Sequence, residues 1–362
     1  MDKKSNDNAF ILTRLHEKGA QVTVIASRSM GLKGSGTLSI YENMDGVSIH
    51  RLYNSFNDMF LFPRKAFSEV INVAKGLNPD LILCSQELNM RLALAIQKVL
   101  KKPIVILVED AGRIFSGEAY NSLKMKFILN IIGVPSSGPD FWSWLCEKST
   151  ALITCHPRDQ KNLVTLSKHQ KPVYYLPWPS YIPKIKSPEA REKNTGIYVG
   201  SLYPFKNTGE FEWSLPLLLE KTKTKRFIVV GPGPHAPLIL KLKEKYGEAI
   251  CYIDHMPRSD IMKMISSCYY AYTPVKIGGW GFIGDCWSMG TPVVMTHNDD
   301  YVIDNTNALV AEGENGLLKN INRLYEDDAL YESLQSAGYE EYEKRKSTVV
   351  GDKLYTILNS VI

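Results

Sequence analysis

Short, continuously apolar runs punctuate this chain: QVTVIAS (21–27), PDLILCS (79–85), KPIVILVED (102–110), ALITCHP (151–157), RFIVVGPGP (226–234) and CYYAYTP (268–274). They have strand length and are rich in β-branched residues, and helical patterns such as Phe67–Leu77, Leu88–Leu100 and Leu238–Tyr246 fall between them. A strand with one wet face alternates polar and apolar residues. These runs do not alternate, so both of their faces must be covered. Strand–helix alternation of that kind requires parallel sheets, and the expected class is α/β.

With 362 residues the chain is long for one core, and two domains are expected. The stretch PWPSYIPKIKSPEAREKNT is rich in proline and charge and reads as a linker. This gives a first domain over residues 1–177, a linker over 178–195 and a second domain over 196–346. The tail, 347–362, packs back toward the first domain. The first legible unit is a helix carrying Phe10, Ile11, Leu12 and Leu15, followed by the strand 21–27. An α/β domain ordinarily opens with a strand and a glycine loop, so either the fold does without its first strand or the true start lies upstream. Two such sheets would face each other across a cleft at the carboxyl ends of their strands.

A composition of 44% hydrophobic and 22% charged residues excludes disorder, collagen and coiled coil. The net charge of +5 suits an anionic ligand or a membrane surface and is too small to argue for nucleic acid. Six scattered cysteines form no C-x-x-C pair and have no zinc spacing, so they read as reduced, buried residues of a cytoplasmic protein. The N-terminus lacks the apolar core of a signal peptide, and no apolar run reaches the roughly 18 residues that span a bilayer.

The stretch TPVKIGGWGFIGDCWSMGTPVV (273–294) carries the strongest chemical signal. A strand ending at Thr273 runs into a loop holding Gly278, Gly279, Gly281 and Gly284, with a helix expected over Asp285–Gly290 and a strand over Thr291–Met295. Such a loop lets backbone approach a phosphate, and Asp285 could accept hydrogen bonds from sugar hydroxyls; an ordinary β–loop–α connection explains the same letters. Lys206, in VGSLYPFKNTG (199–209), is a cation within reach of a diphosphate or a solvated loop lysine. Gly231 and Gly233 form a GPGP turn after a strand, and Met256 lies against a base or in the core. The segment 120–133, followed by Phe141, Trp142 and Trp144, reads as a membrane-docking face or, in preference, a core helix with a polar edge. His156, His255 and His297 stand near strand ends without partners fixed in sequence and read as structural.

Read in order, YVGSLYPFKN, FIVVGPGP, ICYIDHMPRSDI, the 273–294 stretch and NTNALVAEGENGLL resemble the second half of the GT-B glycosyltransferases, specifically the retaining glycosyltransferase family 4. HEKGAQVTVIAS, DGVSIHRLY and PDLILCSQ fit its first half, so the resemblance covers residues 8–346. It implies two Rossmann-like domains, with a nucleotide sugar, most plausibly UDP-linked, held by the second and a saccharide or lipid-linked saccharide acceptor on the first. The family's ribose-gripping glutamate falls on Asp285, and amides near Gly281, Phe282, Ile283 and Gly284 would face the diphosphate. The family's arginine and lysine fall on Ser201, just after Gly200, and on Lys206, so the arginine is replaced.

The first motif glutamate falls near Ile277 and is missing. The histidine or aspartate usually found after the fifth strand matches Glu109–Asp110, where Asp110 would hydrogen-bond the transferred sugar or steady the oxocarbenium-like transition state; capping of the next turn explains the same pair. The resemblance implies a retaining transfer in polysaccharide or cell-envelope biosynthesis, with no metal and no permanently bound cofactor. The enzyme would be cytoplasmic, with peripheral contact on the inner membrane face left open. Two alternatives accompany it: a degenerate GT-B scaffold without turnover, suggested by Ser201 and Ile277, and a viral DNA-modifying glycosyltransferase, ranked lower by the modest charge.

Overall fold

The structure, a computed structural model, describes residues 7–27, 38–53, 63–85, 89–108, 138–180, 191–275, 280–298 and 300–362. It divides into two compact units, one built on Asn8–Pro177 with Ser347–Ile362 and the other on Trp178–Lys346.

In the first unit α1 (Asp7–Glu17) leads into β1 (Thr23–Ser27), followed by a hairpin of β2 (Tyr41–Met44) and β3 (Val47–Tyr53). β3 runs parallel to β1 and antiparallel to β2. The two-residue turn Asp45–Gly46 has φ of 50° and 87°, the left-handed geometry that matches hairpin twist. Polar β2 has no apolar run, and its sequence does not announce it. Next come α2 (Pro63–Leu77), β4 (Ile82–Ser85), α3 (Met90–Leu100), β5 (Ile104–Val108), α4 (Gly138–Lys148), β6 (Ala151–Thr154), α5 (Pro157–Leu166) and β7 (Val173–Tyr175). Strands β4-β5-β6-β7 form a second, wholly parallel sheet. Helix α4 places Trp142 in the core with Ile104, Ile106 and Leu152, which favours the core reading of that aromatic group.

Among the described residues no strand precedes α1, and no ladder joins β1 to β4. Ile25 of β1 and Ile82 of β4 nevertheless pack on one cluster of Val70, Ala74, Leu92 and Ile96, supplied by α2 and α3. The terminal helix Ser347–Asn359 belongs to this unit, where Asp352 receives a fork of hydrogen bonds from Arg14 Nε (2.7 Å) and Nη2 (3.0 Å).

The second unit contains β8 (Glu192–Val199), α6 (Phe211–Lys221), β9 (Arg226–Val230), α7 (Ala236–Tyr246), β10 (Ile250–Ile253), α8 (Arg258–Ser267), β11 (Cys268–Thr273), α9 (Trp280–Ser288), β12 (Val293–Met295), β13 (Leu309–Val310), α10 (Gly313–Glu326) and α11 (Asp328–Glu343). β8 thus opens inside the stretch that reads as linker. The six strands form one parallel sheet in the order β10-β9-β8-β11-β12-β13. Central β11 is buried along its whole length. Its Tyr269 ring stacks on Tyr331 and Tyr325 at 4.5 and 5.0 Å. Tyr269 donates to the Leu324 carbonyl at 2.8 Å, and Tyr331 donates back to the Tyr269 carbonyl at 2.7 Å. These tyrosines fill the core as aromatic bulk while each hydroxyl keeps a partner.

The expected helix at Asp285–Gly290 begins earlier, at Trp280, so Gly281 and Gly284 lie inside α9 rather than in the loop. Close packing explains Gly284, because a Cβ there would stand 2.9 Å from the Trp280 ring and 3.2 Å from Ser180 Oγ. Farther along α9, the buried Trp287 donates its Nε1–H to the Asn307 carbonyl at 2.8 Å and lies against Gly338 of α11. On an open helix face Gly→Ala adds about 1 kcal/mol of stability. At Gly338 the new methyl would meet the Trp287 ring at 2.5 Å. Gly338→Ala is therefore expected to lower stability by about 1–3 kcal/mol, read as a reduced urea midpoint with unchanged slope.

Candidate functional site

The strand order of the second sheet locates the site. From β8 the chain steps outward to β9 and β10, then returns to the other side of β8 to lay down β11, β12 and β13. The connections leaving β8 and β11 therefore depart in opposite senses and open a crevice at the carboxyl ends of these neighbouring strands, where open α/β sheets hold ligands. The loop after β8 carries Gly200, Ser201 and Lys206, and α9 with Asp285 follows β11. Gly200, Ser201, Lys206 and Asp285 thus share one end of one sheet.

Two 3-10 turns, Pro204–Lys206 and Thr208–Glu210, shape the β8 loop. The GPGP turn after β9 is zipped to this loop: Gly200 N–H donates to the Val230 carbonyl at 2.9 Å and Leu202 N–H to the Pro232 carbonyl at 2.8 Å. Gly231 (φ 136°) and Gly233 (φ 154°) would bring a Cβ to 2.1 Å from the Gly200 carbonyl oxygen and 2.3 Å from that of Leu202. Contact between the two loops accounts for both glycines, so their role here is to let backbones meet. Met256 is half-buried against the core.

In α9, hydrogen bonding from residue i to i−4 takes the Gly284 amide onto the Trp280 carbonyl, and Trp280, Gly281 and Phe282 make up the first described turn of the helix. Phe282 and Ile283 turn their side chains into the core, whereas Gly281 is exposed, with nothing within 4 Å of the position a Cβ would take. Trp280 anchors this helix start. The Arg345 guanidinium stacks 4.4 Å over its ring, Tyr301 meets it edge-on at 4.9 Å and Trp287 at 5.7 Å. Arg345 itself donates from Nε and Nη2 to Glu341 Oε1 at 2.9 and 2.6 Å.

Asp285 does not stand open toward the loop. Its side chain is 6% exposed, and Oδ1 accepts a 2.7 Å hydrogen bond from Arg258 Nη2 at the start of α8. A carboxylate this deep needs a counter-charge, and a residue that sequence reading did not nominate supplies it. The available signal was an arginine two residues after Met256, at a helix start, in a chain with serine at the expected arginine position. A second missed residue, Glu210, ends the second turn of the β8 loop. Asp110, Ile277, Gly278, Gly279 and the 120–133 segment lie outside the described residues. Among the described residues no group of three or more His, Cys, Asp or Glu side chains could hold a metal ion, and no helix is long and apolar enough to cross a membrane. All six cysteines are free of disulfides.

Comparison with known proteins agrees with this geometry. Residues 193–327 match the family model described as glycosyl transferases group 1. No curated protein matches the sequence. The chain is similar in structure to sucrose-phosphate synthase from Thermosynechococcus elongatus (13% identity, TM-score 0.76, covering 99% of this chain and 94% of that one). It is also similar to Anabaena HepE in complex with UDP and glucose (12%, 0.68, 99% and 97%). A third likeness is to a UDP-forming trehalose-phosphate synthase from Burkholderia xenovorans (12%, 0.67, 94% and 99%). The fold is that of the GT-B glycosyltransferases, with two Rossmann-like domains.

Removing Arg258 takes away the charge-assisted hydrogen bond that the buried Asp285 carboxylate accepts. Arg258→Ala is expected to cost about 1–3 kcal/mol, less than for a fully buried pair because the arginine side chain is 28% exposed. Adding Asp285→Asn should recover most of that loss in a denaturant titration, since the buried charge is then gone.

Proposed function

We propose that this chain is a glycosyltransferase that takes a sugar from a UDP-linked donor and transfers it, with retention, to a saccharide or lipid-linked saccharide. The observation carrying this reading is the placing of the Lys206 turn, after β8, at the same sheet end as the start of α9, after the adjacent β11. One provides a cation and the other the positive end of a helix, which together suit a diphosphate. The match of residues 193–327 to group 1 glycosyltransferases and the likeness to a fold solved with UDP and glucose support the same reading.

In the transfer, the bond between the anomeric carbon and the donor phosphate breaks and the acceptor oxygen bonds to that carbon on the same face. The acceptor proton passes to the leaving phosphate oxygen, so no side-chain base is required. Lys206 and the positive end of α9 offset the charge developing on the leaving diphosphate. Asp285, held by Arg258, is the residue proposed to face the ribose. Asp110 is the residue proposed to contact the transferred sugar. The enzyme works in the cytoplasm without metal, in cell-envelope or polysaccharide assembly.

A second reading, a GT-B protein that binds nucleotide sugar without turnover, draws on Ser201 in place of the family arginine and on the Asp285 oxygen already committed to Arg258. Release of UDP from a sugar nucleotide would exclude it.

Calorimetric titration with UDP tests the leading reading. Lys206→Ala is expected to weaken binding about tenfold, and unchanged affinity would refute the assignment. Gly281→Ala provides a separate check. The position has open space, so the helix should tolerate or gain from the methyl. UDP affinity should nevertheless fall, because the methyl occupies the surface where the diphosphate meets backbone.

A further inference from the structure

Glu210 lies four residues beyond Lys206, and its carboxylate is occupied by three neighbours. Oε1 accepts from Asn207 Nδ2 at 2.5 Å and lies 2.9 Å from His297 Nε2, while Oε2 accepts from Thr296 Oγ1 at 2.7 Å. Asn207 Nδ2 and His297 Nε2 are themselves 2.6 Å apart. Thr296 and His297 follow β12 directly. β11 lies between β8 and β12 in the sheet, so this contact carries the β8 loop across the carboxyl end of β11.

Asn207, immediately after Lys206, is the joint between the two 3-10 turns and sits in the left-handed region at φ 59°, ψ 20°. Asparagine enters that region more readily than other residues with a Cβ, and here its side-chain amide is bonded to Glu210. The loop is gripped on its other side as well, where Thr208 Oγ1 lies 3.1 Å from the Tyr203 carbonyl and 2.8 Å from His235 Nδ1. A carboxylate left open beside an anion site would repel its ligand. Here its oxygens face inward to local partners, although the Glu210 and His297 side chains remain 19% and 30% exposed.

We propose that Glu210 is the positioning residue of this site: by binding Asn207, Thr296 and His297 it fixes the turn that presents Lys206 to the donor diphosphate. The proposal rests on the reading of Lys206 as a diphosphate ligand. Glu210 touches neither donor nor acceptor and acts only through Lys206.

The test is a thermodynamic cycle on the full chain, titrating UDP and uridine into wild type, Lys206→Ala, Glu210→Gln and the double variant, with melting curves for each. Glu210→Gln keeps the shape and removes the charge. It is expected to retain a cooperative melt, to weaken UDP about tenfold and to leave uridine unchanged. In the Lys206→Ala background it should add nothing. Asn207→Gly, which keeps the left-handed backbone but lacks the amide, should reproduce part of the loss and supplies a second route if Glu210→Gln melts poorly. If Lys206→Ala leaves UDP affinity unchanged, the functional reading fails and the proposal with it. If Lys206→Ala weakens UDP while Glu210→Gln and Asn207→Gly do not, or if the losses multiply in the double variant, the proposal alone is overturned.

Discussion

Parallel strands cannot be joined by tight turns, so each connection in the second unit must leave one end of the sheet, cross a face and re-enter at the other end. That constraint gathers every β-to-α loop at the carboxyl edge. The step from β10 back to β11 on the far side of β8 then parts the loops at one place. The zipped β8 and β9 loops, the turn bearing Lys206 and the first turn of α9 are all local answers to that arrangement. The glycines of the GPGP turn exist because two of these loops press backbone against backbone.

Charge is handled at this edge in a consistent way. Both carboxylates, Asp285 and Glu210, are turned onto protein partners: Arg258 for the first, and Asn207, Thr296 and His297 for the second. Such pairing weakens the repulsion that these two acidic groups would otherwise direct at an anion. It also makes each carboxylate dependent on an element distant in sequence, which couples the shape of the site to the packing of α8 and to the end of β12.

Much of the fold was legible because buried parallel strands advertise themselves as unbroken Val/Ile/Leu runs, as in IVILV of β5 and RFIVV of β9. What escaped notice had no such periodic signature. β2 is a polar edge strand, and its hairpin is visible only as Asp45–Gly46. α5 is short and mostly polar, and α6 carries Pro216 within an almost continuous apolar run. The start of α9 was misplaced because glycine ordinarily argues for a loop; Gly284 is helical here because an indole ring needs the room a side chain would fill. At the site, Lys206 and Asp285 could be picked out by their place in the order of elements. The Arg258–Asp285 and Glu210–His297 contacts could not, since each joins residues brought together by helix packing or strand order rather than by spacing along the chain.

The Trp280–Trp287 pair at the head of α9 has an optical consequence. Two indoles held edge-to-face at 5.7 Å, one capped by a guanidinium, share an asymmetric and rigid surrounding. Such coupled chromophores give strong near-ultraviolet circular dichroism and emission sensitive to nearby charge. The start of α9 therefore carries its own optical signature, which reports whether the packing around that helix is intact without any label.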